Sequence, residues 1–234
     1  MPQRTTVGGY LIQRLEELGV KHVFGVPGDY VLGFYDQLVA SPLEVIGTCT
    51  ELGAGFAADA YARVNGLGAV CITYCVGGFN ALNAVAGAYA EKSPLILISG
   101  APGMGERERS PFLHHKVRDF NTQRLIFERV TVADIALENA DDAPAQIDYA
   151  LDACLRQKRP VYIEIPRDMT MVPCAAPKPW KTDRVKSDAL ALKEAVNEAA
   201  EMLRRAKRPV IMGGVEIHRF ELQNLLVRLV EHSG

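Results

Sequence analysis

The sequence has little that would carry it to a charged polymer or a membrane. Among 234 residues, 26 Lys and Arg face 28 Asp and Glu, a net charge of -2. No basic surplus therefore suits a nucleic-acid backbone, and no Lys/Arg run marks a membrane patch. No apolar run approaches the ~18 residues that cross a bilayer. Charges and glycines interrupt the apolar stretch of the amino-terminal region, so no secretory leader is expected there. Cysteine is scarce and odd in number: Cys49, Cys71, Cys75, Cys154 and Cys174. Such a set without a leader reads as reduced thiols of a cytoplasmic protein. Cys71 and Cys75 lie on or beside a strand-like apolar run, and no second Cys/His pair is spaced to complete a tetrahedral metal site. Nucleotide signatures are missing too. No G-x-G-x-x-G stands at a strand–helix junction and no Walker A lysine occurs.

What is there reads as a globular α/β chain. Hydrophobic residues make up 48% and charged residues 23%, enough for a sizeable core. Helical spacing of Val7, Leu11, Leu15 and Leu18 predicts a first helix stopped by Gly19. Val20 to Phe24 predicts a strand that runs into the turn Gly25-Val26-Pro27-Gly28. Helices are expected at 31–40, 51–63 and 79–90, the second capped by Thr50. Strands are expected at 43–48, 69–74, 94–99 and 161–165. Runs that are apolar on both faces and alternate with helices imply a doubly wound, mostly parallel sheet covered on both sides. Residues 1–172 form one such domain in this reading. Residues 173–187 read as a Pro/Lys-rich linker. Residues 188–234 read as the start of a second α/β domain, too short to be whole, with a helix at 188–206, a strand at 209–212 and a helix at 219–232. The stretch from Gly100 to Asp119 breaks the rhythm and is expected to be an irregular loop, placed where ligand loops sit after a strand's carboxyl end.

Three places carry candidate chemistry, each with an ordinary alternative. Glu51 opens a helix, where a carboxylate simply complements the dipole. Yet Gly53 and Gly55 follow it, each costing ~1 kcal/mol in a helix interior, which suggests close approach of another group. Asp29 ends the first strand's turn and could merely cap the next helix. His114 and His115 lie in the irregular loop. Two adjacent histidines chelate one ion poorly, so no metal site is expected of them. Pro111, Phe112 and Leu113 before them suggest partial burial, and a partly buried histidine handles protons near neutral pH.

Several segments together resemble the thiamine-diphosphate-dependent 2-keto acid decarboxylases. They are Phe24-Gly25-Val26-Pro27-Gly28-Asp29-Tyr30, Glu51 with Phe56-Ala57-Ala58-Asp59-Ala60-Tyr61-Ala62-Arg63, Ala81 to Glu91, Leu113-His114-His115, and Arg159-Pro160-Val161-Tyr162-Ile163-Glu164-Ile165-Pro166. The resemblance is to the family's amino-terminal, pyrimidine-binding domain. It implies that Glu51 hydrogen-bonds a pyrimidine nitrogen of thiamine diphosphate and shares a proton there. It implies that Asp29, His114 and His115 relay protons after carbon dioxide leaves, and that Pro27, Thr73 and Val76 line the pyrimidine pocket. Gly100-Ala101-Pro102-Gly103 is similar to the phenylpyruvate-type members.

One departure matters. The family's diphosphate site begins Gly-Asp-Gly and ends in Asn-Asn about thirty residues later, where oxygen ligands hold Mg²⁺. No Gly-Asp-Gly occurs here. The Mg²⁺ ligands are therefore expected in a domain outside this chain, in the family usually a partner subunit's. A homodimer or homotetramer follows, with a small 2-keto acid as substrate and this chain inactive alone. The alternatives left open are a carboligase or acetolactate-synthase-like relative and a non-catalytic scaffold that kept the fold.

Overall fold

The computed structural model describes residues 4–109, 112–180 and 186–233. Pro111 and linker residues 181–185 lie outside the described residues. The chain divides into two compact units, Met1–Trp180 and Lys181–Gly234.

The first unit begins with strand β1 (Arg4–Thr6) and helix α1 (Val7–Glu17). Thr6 caps α1, its hydroxyl accepting the Gly9 N–H at 3.0 Å. There follow β2 (His22–Gly25), α2 (Leu32–Val39), β3 (Glu44–Gly47), α3 (Glu51–Asn65), β4 (Gly68–Ile72), α4 (Val76–Ala90) and β5 (Leu95–Ala101). Next come α5 (Met104–Arg109), α6 (Thr122–Phe127), β6 (Asp134–Ala136), α7 (Ala143–Gln157), β7 (Val161–Pro166) and β8 (Pro173–Ala175). Gly66 ends α3 at φ +91°, a left-handed conformation that a side chain would strain.

Six strands pair in parallel in the order β3-β2-β4-β5-β7-β6. Successive residues of each central strand enter opposite cores. Ala69, Cys71, Ile96 and Ile98 join α1, α2 and α7 in one core. Val70, Ile72, Leu95 and Leu97 join α3, α4 and Phe127 of α6 in the other. That two-sided burial is why these strands read as continuous apolar runs rather than alternating ones. The doubly wound α/β fold is thus the one expected. The first core also holds one buried charge, Arg14, which is 2% exposed. It donates to Asp148 of α7 at 2.7 Å, tying α1 to α7, and to the Tyr10 hydroxyl at 3.0 Å.

Several details differ from expectation. The stretch after β5 is not wholly irregular, because β5 continues to Ala101 and α5 forms inside it. Pro173–Ala175, assigned to the linker, is a strand pairing antiparallel with β1, and Cys174 is buried there. A proline at the outer end of a two-stranded ribbon removes no needed donor. The second unit carries α8 (Ala189–Arg205), α9 (Val215–Arg219) and α10 (Gln223–Ser233). Residues 209–212 form no strand, with Val210 and Met212 exposed; no strand is assigned beside them among the described residues of this unit. The single helix expected at 219–232 is broken, because Glu221 adopts φ +57° between α9 and α10.

Candidate functional site

The sheet's connections reverse direction between β2 and β4. From β2 the chain steps outward to β3, then crosses back to β4 on the other side. Beyond the carboxyl ends of such neighbours no helix can close the crevice, so ligands collect there. The sequence-predicted residues all fall on that edge: Pro27 and Asp29 after β2, Glu51 after β3, Thr73 and Val76 after β4, His114 and His115 after β5.

Glu51 is the first residue of α3. Its position is fixed by Thr50, whose hydroxyl accepts the Gly53 N–H at 3.1 Å. Asn80, one turn into α4, donates to Glu51 Oε2 at 2.7 Å. The other oxygen, Oε1, lies beside Gly77, where a Cβ would stand only 3.2 Å from it and 3.1 Å from Thr73 Cγ2. The close approach expected near Gly55 is real: a Cβ there would stand 2.7 Å from Ala84 Cβ, so α3 and α4 pack through small residues. A Cβ at Gly53 would meet its own cap at 3.3 Å and Thr48 Cβ at an ordinary 3.9 Å, and packing does not explain it. Glu51 is half-buried, Thr73 is buried, and Pro27 and Val76 are exposed.

Asp29, His114 and His115 come together. His114 Nε2 lies 2.5 Å from Asp29 Oδ2. The imidazoles of His114 and His115 meet edge to face, with centroids 4.8 Å apart. His115 Nδ1 lies 2.8 Å from the Tyr74 carbonyl. A carbonyl only accepts, so Nδ1 carries a hydrogen and Nε2 is the nitrogen left to other partners. The Tyr30 hydroxyl donates to the His114 carbonyl at 2.9 Å, and its ring stacks on the His114 imidazole. Burial, then the Asp29 charge, push the Tyr30 hydroxyl's pKa up, so it stays a donor at neutral pH. The partial burial expected of the pair holds for His115 and not for His114. Phe112 is fully exposed and the His114 side chain is 57% exposed, while His115 is half-buried; the Tyr30 ring, not Phe112, lies against both imidazoles.

A buried chain of polar groups holds the segment that carries the histidines. Arg107 of α5 pairs with Glu164 of β7, whose side chain is 1% exposed. The Tyr162 hydroxyl donates to Glu164 Oε2 at 2.5 Å. Burial, and then the Glu164 charge, push Tyr162 well above the usual tyrosine range, keeping it protonated. Gln123 donates to Tyr162 at 2.6 Å and to Ser99 at 2.7 Å. Sequence reasoning missed Tyr30, Asn80, Arg107, Gln123 and Glu164 in these roles. Only Glu164 had a signal, a charge within an apolar strand run. Burial pushes the Cys75 thiol up to about 12 and raises Cys71 further, which leaves both thiols inert.

The sequence profile of "Thiamine pyrophosphate enzyme, N-terminal TPP binding domain" matches residues 5–123. The chain belongs to that family. It is 40% identical over 240 residues to pyruvate decarboxylase 2 of Arabidopsis thaliana, covering 100% of this chain and 40% of that protein. It is 39% identical over 236 residues to pyruvate decarboxylase 1 of Pisum sativum, covering 98% of this chain and 40% of that protein. The chain therefore spans about two fifths of the length of these relatives.

The family's cofactor is thiamine diphosphate, and the residues present fit its aminopyrimidine half. The Thr73 hydroxyl is buried without a partner. Glycines 28 and 77 leave room on either side of Thr73 that a Cβ would fill. Glu51 presents one carboxylate oxygen at the same place. A flat ring with hydrogen-bonding nitrogens matches that donor set. The family's Gly-Asp-Gly motif is not among these residues, and no helix in the described residues is long and apolar enough to cross a membrane.

Proposed function

We propose that this chain supplies the pyrimidine-binding part of a non-oxidative 2-keto acid decarboxylase, which converts a 2-keto acid to an aldehyde and carbon dioxide. The observation that carries this reading is the pairing of two proton-handling sets on one sheet edge: Glu51 held by Asn80, and Asp29 with His114 and His115. A scaffold would need neither. The names of the two relatives described above, both pyruvate decarboxylases, agree with it.

When bound, thiamine diphosphate supplies the carbon nucleophile and the electron sink for loss of carbon dioxide. Glu51 Oε1 holds a proton against a pyrimidine nitrogen, while Asn80 fixes Oε2 and so the carboxylate's angle. Pro27, Thr73 and Val76 position the ring. Asp29 orients His114 through Nε2. The Tyr74 carbonyl holds His115 through Nδ1, which leaves Nε2 to carry a proton to or from the reacting carbon.

Mg²⁺ and the diphosphate would be held by a domain outside this chain, in a homodimer or homotetramer. Phe56 of α3 and Val76 of α4 are exposed, surface that such a domain would cover. Five free thiols suit a cytoplasmic setting. The test is aldehyde and carbon dioxide formation from pyruvate and from aromatic 2-keto acids, by the complete protein with thiamine diphosphate and Mg²⁺. Turnover that falls sharply in Glu51→Gln supports the reading. No carbon dioxide from any 2-keto acid would refute it.

A further inference from the structure

We propose that Asp29, His114 and His115 also form a binding site for a divalent transition metal of the zinc class. Adjacent histidines were expected to serve one ion poorly. The backbone removes that obstacle, because His115 adopts φ +65° and turns its ring against its neighbour's at 66°. One ligand atom from each of the three residues then lies within 4.8 Å of the others. Ligands of a tetrahedral zinc with bonds of ~2.0–2.1 Å stand roughly 3.3 Å apart. His114 and Asp29 are 57% and 43% exposed at their side chains, so small rotations close the gap without disturbing the core.

The surroundings of His115 are those of a metal-bound imidazole, while His114 Nδ1 faces the Tyr30 hydroxyl at 3.4 Å. Such rings donate their second nitrogen to a carbonyl or carboxylate, which fixes the tautomer and aims the lone pair. His115 does this through Nδ1 to the Tyr74 carbonyl at 2.8 Å. His114 is held by stacking on Tyr30 at 5.0 Å and by the Tyr30 hydroxyl on its carbonyl. Its Nε2 faces Asp29 Oδ2 across 2.5 Å, a gap an ion would widen on replacing the proton there. Two imidazoles with one carboxylate select zinc, copper, nickel or cobalt over magnesium and calcium, which prefer all-oxygen sites. Three protein ligands leave one position for water. One consequence rests on the proposed function: an ion on these atoms blocks the proton relay, so zinc would inhibit the enzyme rather than assist it.

Binding itself is tested without catalysis. Zinc chloride alone is titrated calorimetrically into the 234-residue chain, without thiamine diphosphate. One ion per chain is expected, with affinity at least about tenfold weaker (~1.4 kcal/mol) in His115→Ala and in Asp29→Asn. Cys49→Ser should bind as well as the unaltered chain, and magnesium chloride should give no binding heat. A second measurement needs no variant. Cobalt(II) added to the unaltered chain should broaden the imidazole resonances of His114 and His115, and not those of His22, His218 or His232. Zinc affinity retained in both variants, broadening centred on another histidine, or no binding at all would overturn the proposal. Any of these would leave the decarboxylase reading standing, and a failed decarboxylation assay would leave the metal site standing.

Discussion

Gly77 and Gly55 look alike in sequence, both in small-residue helices, but alanine at each should act differently. At Gly77 the new Cβ would stand 3.1 Å from Thr73 Cγ2 and 3.2 Å from Glu51 Oε1. Carbon contacts are optimal near ~3.5–4.0 Å, so the deficit is a few tenths of an ångström against movable side-chain atoms. Relief costs about 1 kcal/mol, and the gain in helix propensity is of similar size. Stability should stay within about 1 kcal/mol, or roughly 2–4 °C in Tm for a unit of this size. At Gly55 the Cβ would stand 2.7 Å from Ala84 Cβ. There the shortfall of roughly 0.8 Å is between two helices, and α3 must move away from α4. Overpacking of about 1–3 kcal/mol should outweigh the propensity gain, so Gly55→Ala should lower Tm by more than Gly77→Ala. Thermal unfolding of the chain, followed by circular dichroism, measures both. The functional effects should reverse that order. Gly77→Ala displaces the Glu51 carboxylate, and a misplacement of ~1 Å can cost ~10²-fold, so a few tenths should slow hydrogen exchange at C2 of the bound cofactor by about tenfold. If Gly77→Ala loses more than about 3 kcal/mol, or leaves exchange unchanged in the complete protein, Gly77 is not there to make room for Glu51.

Other outcomes follow from the same geometry. In the complete protein, Glu51→Gln should abolish hydrogen exchange at cofactor C2. His115→Ala and Asp29→Asn should spare that exchange while cutting turnover by about 10²–10⁴-fold; equal loss of exchange in all three would end the division of labour. Glu164→Gln should cost about 1.5–3 kcal/mol, since Arg107 loses its buried carboxylate but keeps Glu138 at 2.7 Å; a denaturation midpoint close to that of the unaltered chain would contradict it. Alkali should destabilise the chain. Burial, with the Asp148 hydrogen bond and charge behind it, raises Tyr10 to about 12, and burial with Glu164 raises Cys75 to about 12. Both ionise more easily when unfolded, so their stability is whole below about pH 9 and falls by up to about 1.4 kcal/mol per unit and group above it. Urea midpoints equal at about pH 8 and about pH 10.5 would contradict this. Thiamine diphosphate with Mg²⁺ should bind the 234-residue chain only weakly, because no Gly-Asp-Gly is present to hold the anionic half; micromolar affinity by calorimetry would refute it.

The sequence alone determined the repeating strand–helix rhythm, because burial on both faces forces continuous apolar strands such as 69–72 and 95–98. It also marked the edge residues Asp29, Glu51, His114 and His115, since they punctuate that rhythm where the chain leaves a strand or opens a helix. Short-range patterns lost their force where pairing was distant. β1 finds β8 across some 170 residues, and three residues of Pro173-Cys174-Ala175 carry no periodicity to announce a strand. The break at Glu221 was equally hidden, because apolar spacing continues through it. What the tertiary structure decided is how the marked residues are held. Asn80 reaches Glu51 from a neighbouring helix, the Tyr74 carbonyl sets which nitrogen of His115 is free, and Arg107 anchors to a glutamate 57 residues away. Each is a contact between chain segments that only the sheet's parallel crossovers bring together, and crossover geometry is written in packing, not in local residue order.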